Sequence, residues 1–121
     1  KKKKVTVIKN ISFKMLLVSN LIPVSSSAFN QKNTGTKFFK YKSPSEDWLF
    51  WLDLIKLSNK PLGIPKNLMF YNVSNDSMSA NKLIMAKRAW YIFRDYHRFS
   101  LFRSSYYFLI YFIRGFKVNY L

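Results

Sequence analysis

The chain of 121 residues contains no cysteine. Disulfide staples and thiolate metal sites are therefore excluded. It has one histidine, His97, so the usual ligand sets for zinc, haem and iron–sulfur clusters are missing too. No cofactor is expected. Of three glycines and four prolines, Pro61, Gly63 and Pro65 fall within five residues and mark a turn. Acidic residues are scarce, five against 21 lysines and arginines, for a formal net charge of +16. Long apolar runs are absent. The longest, YYFLIYFI at residues 106–113, falls well short of the ~20 residues that a membrane helix needs. The opening KKKK with the later MLLVSNLIPVSSSA superficially resembles a secretory signal, but Ser19, Asn20 and Pro23 break its apolar part.

Catalytic signatures are also thin. The segment NTGTKFFKYKSP, residues 33–44, sets Gly35 in front of a lysine–aromatic run. Its TGT lacks the glycine spacing and the trailing Gly-Lys-Ser/Thr of a phosphate loop. The serines have no second histidine and no Gly-x-Ser-x-Gly elbow. Glu46–Asp47 reads as a turn or a strand start, and His97 as a solvent-facing or satisfied histidine. The chain is not expected to be an enzyme or to take a small-molecule substrate.

What is present is charge and aromatic surface. Residues 1–43 hold ten lysines and no acid; residues 77–121 hold five arginines and three lysines against Asp95, a charge of +7. The centre is close to neutral. A free globular chain would suffer from such self-repulsion, so a polyanionic partner is the natural inference. Lysines reach phosphates without reading sequence, and interleaved aromatics stack on exposed bases. The candidate RNA-binding residues are Lys37, Phe38, Lys40, Tyr41, Lys42, Lys66, Lys87, Arg94 and Arg98. Twelve Phe, eight Tyr, ten Asn and sixteen Lys match what A+T-rich codons produce, a composition common in organellar genomes.

Organisation is read in three parts. Residues 1–13 form a basic N-terminal arm. Residues 14–73 read as a small antiparallel β domain, with strands expected over 14–22, 37–42 and 66–73. Residues 48–57 are ambiguous between strand and helix. Residues 74–121 read as a helical extension, free of Pro and Gly from 79 to 114, with Gly115 as a stop, either one rod or two helices broken near Ser104–Ser105. At 100° per residue Met85, Ala89, Ile92 and Tyr96 share a stripe, expected to dock on a partner, while Lys87, Arg94 and Arg98 lie on the opposite side.

The blocks TGTKFFKYKSP, WLDLIKL, KPLG and KNLMF resemble the ribosomal protein L-thirty-three family of the bacterial-type large subunit. Thr34, Gly35, Thr36, Phe38, Phe39, Lys42 and Pro44 fall on its first block, and Leu52, Asp53, Leu54, Lys56 and Leu57 on its second. Pro61 falls on its third, and Lys66, Leu68, Met69 and Phe70 on its fourth. Lys37 stands where that family has a second glycine, residues 23–33 would be an insertion, and the absence of cysteine matches only its metal-free branch. The resemblance implies an α+β chain whose core is a three-stranded antiparallel sheet of zinc-ribbon type. It implies a structural role on large-subunit rRNA near the tRNA exit site. Neighbouring ribosomal proteins and exit-site tRNA would be further partners, and the mitochondrial matrix the location. The alternative is an accessory subunit of a mitochondrial inner-membrane complex, with YYFLIYFI meeting lipid and the lysines meeting anionic headgroups.

Overall fold

The computed structural model describes residues 7–35, 45–57, 61–66, 68, 69 and 81–120. They belong to two compact units, Lys1–Val73 and Ser74–Leu121. Both are helical. The expected three-stranded sheet is not found: the described residues contain no strand, and their β pairing is an isolated antiparallel bridge between Asn10 and Leu62.

In the first unit the segment expected as a first strand instead opens with a short helix, α1, Phe13–Leu17. Its apolar run carries no period of two. Ser12 ends the preceding extended backbone and accepts a hydrogen bond from the Met15 amide at 3.3 Å, which starts a helix in the usual N-cap manner. A 3-10 turn, Val24–Ser26, follows Pro23. Then comes α2, Gln31–Thr34, capped by the Asn30 side chain. Gly35 closes α2 at φ 68° and ψ 173°, a backbone state that is essentially glycine's alone. Thr34 and Gly35 thus end a helical turn; the strand expected after them, residues 37–42, lies outside the described residues.

The ambiguous stretch resolves as helix: α3 spans Glu46–Leu57. Continuous apolar residues leave no periodicity to separate helix from strand, so the ends decide. Two carboxylates in the first turn and Lys56 in the last suit the helix dipole. Trp48, Leu49, Phe50, Trp51, Leu52 and Leu54 are all buried, and α1 packs on α3 with Leu16 and Leu17 fully buried. The Trp48 indole N–H donates to the Leu16 carbonyl at 2.6 Å. Phe50 meets Phe29 edge-on, with ring centroids 5.5 Å apart. The N-terminal segment returns to residues 62–63, where the Gly63 amide donates to the Lys9 carbonyl at 2.9 Å. A Cβ on Gly63 would sit 2.3 Å from the Ile8 carbonyl oxygen, so that approach requires glycine.

The second unit is a helical hairpin. Helix α4, Lys82–Tyr91, is capped by the Asn81 side chain, which accepts from the Leu83 and Ile84 amides. It runs into a π turn, Ile92–Tyr96. The His97 amide closes that turn on the Ile92 carbonyl, and Arg98 takes a left-handed φ of 51°. Helix α5, Leu101–Tyr120, then packs back on α4. The break therefore falls at residues 97–100 and not at Ser104–Ser105. Ser104 is fully buried, where its small side chain lets the helix approach its neighbour. Nor does Gly115 stop α5, which continues to Tyr120. A helical glycine costs only about 1 kcal/mol, which a packed helix tolerates. Phe93 and Phe99 both approach Tyr107, and Trp90 meets Phe108 edge-on at 5.5 Å.

Candidate functional site

In the first unit chemistry concentrates at the start of α3. Glu46 is exposed and Asp47 half-buried. The Asn20 side-chain amide donates to Asp47 Oδ2 at 2.8 Å from 27 residues away. That bond ties the segment after α1 to the first turn of α3 and fixes one carboxylate oxygen. Trp51 lies one helical turn further along, on the same side of α3 as Asp47. Its indole nitrogen is buried with no hydrogen-bond partner among the described residues. A carboxylate held at a helix start is a group suited to proton transfer. The sequence contained the signal. Ser-Glu-Asp ahead of an apolar run is a helix start, and reading it as a turn or strand start hid the carboxylates' shared placement. The other acid of α3, Asp53, pairs with Lys56 at 3.8 Å. Among the described residues no group of His, Asp and Glu could hold a metal ion.

The predicted RNA-binding residues are placed unevenly. Lys37, Phe38, Lys40, Tyr41 and Lys42 lie outside the described residues. Lys66 is exposed at a bend after Pro65 in the first unit. Lys87, Arg94 and Arg98 are exposed in the second. Of these, Arg94 already donates to the Phe99 carbonyl at 2.6 Å, closing the turn between α4 and α5. Within the predicted docking stripe, Ala89 and Ile92 are fully buried inside the chain, and Met85 and Tyr96 are half-buried. Tyr96 meets His97 edge-on at 4.9 Å. The stripe's central residues are thus interior to this conformation.

Electrostatics in the second unit centre on Arg88 and Tyr111. Burial raises the Tyr111 phenol above its ordinary value near 10, and the Arg88 charge works in the opposite direction. Arg88 also points a guanidinium N–H at the Met85 sulfur, at 3.6 Å.

No known family matches the chain, and no solved structure matches it. One curated protein does, a putative teichuronic acid biosynthesis glycosyltransferase, TuaG, of Bacillus subtilis (strain 168). It is 24% identical over 102 residues, which cover 84% of this chain and 40% of the relative. The chain thus spans about two fifths of the length of the curated relative it matches.

Proposed function

We propose that this chain forms part of a glycosyltransferase and supplies the carboxylate that accepts the proton of the acceptor hydroxyl. The observation that carries the reading is the similarity to a glycosyltransferase over 84% of this chain. The held carboxylate at the start of α3 supplies it with chemistry. In glycosyl transfer a bond forms between the acceptor oxygen and the anomeric carbon, and the bond from that carbon to the donor's leaving group breaks. The hydroxyl proton must go to a base as the new bond forms. Asp47 is the best-placed carboxylate described: half-buried, at a helix start, with one oxygen held by Asn20 and no further hydrogen bond among the described residues to its other oxygen. Holding the base in one orientation is worth much of its effect.

The test is transfer of labelled sugar from a panel of nucleotide-activated donors by the protein that carries this chain. Asp47→Asn should lower turnover by about 10²-fold or more with donor binding unchanged. Full turnover in that variant removes Asp47 from the role, and absence of transfer with every donor removes the reading.

A second reading, an rRNA-binding constituent of the mitochondrial large ribosomal subunit, is favoured by the net charge of +16 and the ten lysines of residues 1–43. It no longer has the three-stranded sheet as support. Co-sedimentation with large subunits, lost on RNase treatment, is its check.

A further inference from the structure

The second unit buries one side of α5 and leaves the other bare. Ser104, Tyr107, Phe108 and Tyr111 are buried or half-buried. On the opposite side Phe102, Tyr106, Leu109 and Ile113 recur at the i, i+4, i+7, i+11 spacing of a single helical face. Phe102 is 90% exposed, Tyr106 62% and Leu109 57%. No charged residue interrupts this face between residues 101 and 113. Arg103 and Arg114, both exposed, lie together along one edge. Arg103 is held there by stacking on Phe99, 4.1 Å from the ring centroid.

We infer that this face of α5 lies in the plane of an anionic lipid surface, its apolar side chains among the acyl chains and its arginine edge against the headgroups. Three observations select this occupant. The face is continuous for about 18 Å, at 1.5 Å per residue, and is made of Phe, Tyr, Leu and Ile, the types that settle at a bilayer boundary. Residues 77–121 carry +7, so two copies meeting through this face would bring like charges together, whereas anionic headgroups attract nearby Arg and Lys side chains. Finally, no described helix is long and apolar enough to cross a membrane, and the opposite side of α5 is committed to α4 and the π turn that follows it. The helix is therefore suited to lying on a bilayer and not to spanning one. This inference concerns the second unit and stands apart from the transfer reading.

The experiment is flotation of the full chain with vesicles of phosphatidylcholine alone or with roughly one third phosphatidylglycerol. Binding is expected to the anionic vesicles only and to weaken with salt. Phe102→Asp with Leu109→Asp should lower partitioning at least about tenfold with circular dichroism unchanged, because both side chains are exposed. Arg114→Glu should lower it by a smaller factor. Failure to float with anionic vesicles overturns the inference. So does flotation that the Phe102→Asp/Leu109→Asp chain retains in full. A lipid-independent dimer that the same variant dissociates would assign the face to a second copy, and preferential capture by RNA over vesicles would assign the charge to nucleic acid; either overturns it.

Discussion

The indole nitrogen of Trp48 donates a 2.6 Å hydrogen bond to the carbonyl of Leu16, 32 residues earlier in the chain. Both residues are buried, and the bond joins α3 to α1 at the centre of the first unit. Trp48→Phe should cost about 2–4 kcal/mol, combining the lost bond with the cavity left by the smaller ring. Urea unfolding followed by tryptophan fluorescence checks it, since Trp51 remains as a reporter in the same helix.

Asn20 is exposed and acts on Asp47 through a single bond. Asn20→Ala should therefore change stability by less than about 1 kcal/mol. If Asp47 is the base, the same variant should lower turnover by roughly three- to tenfold, because the carboxylate is no longer held in one orientation. A rate effect with unchanged donor affinity separates this positioning role from a structural one.

Gly63 should be irreplaceable by alanine without local rearrangement. The added methyl would meet the Ile8 carbonyl oxygen at 2.3 Å and the Val7 side chain at 2.6 Å. Gly63→Ala is expected to cost about 1–3 kcal/mol. Hydrogen exchange at the Gly63 amide, bonded to the Lys9 carbonyl, should rise by the corresponding factor.

Tyr111 predicts alkaline sensitivity. Burial raises its folded pKa above the ordinary value near 10, despite the opposing Arg88 charge. The unfolded chain thus loses this proton at lower pH than the folded one. The contribution is full below about pH 10 and is lost as pH rises towards the higher folded value. Thermal unfolding between about pH 9 and 11 should show stability falling less steeply in Tyr111→Phe than in the parent chain.

Ser104 is fully buried where α5 approaches α4, and its hydroxyl reaches the Phe99 carbonyl at 3.4 Å. Ser104→Leu should destabilise the second unit by about 1–3 kcal/mol through overpacking. Ser104→Ala should cost less than about 1 kcal/mol. The contrast, read by thermal melts, distinguishes a spacing requirement from a hydrogen-bonding one.

The helical extension was readable from sequence because residues 79–114 lack Pro and Gly and keep a helical apolar period. Asn81 supplies its cap. Its interruption was not readable. The π turn and the left-handed Arg98 are accompanied by a bond from Arg94 to the Phe99 carbonyl, a contact with no signature in residue type. In the first unit, residues 14–22 and 48–57 hold mostly apolar runs, and a run without clear periodicity does not distinguish strand from helix. Short-block resemblance then favoured a sheet that the described residues do not form. Asp47 escaped notice for the same reason: as part of a turn it is one acid among five, whereas at the start of a packed helix it is a held carboxylate.

Composition by itself determined the exclusion of disulfides and thiolate metal sites, the strong positive charge and its concentration towards the two ends, since these depend only on which side chains exist. Local spacing determined the amphipathic character of residues 82–96, because helical period is a property of consecutive residues. Tertiary structure decided the rest. It made helix of the apolar runs in the first unit, where burial against α1 and α3 stabilises whichever backbone packs best. It turned the expected docking stripe inward at Ala89 and Ile92, and it left Phe102, Tyr106 and Leu109 as the bare face. Those outcomes arise from contacts between segments distant in sequence, whose free energy no local pattern encodes.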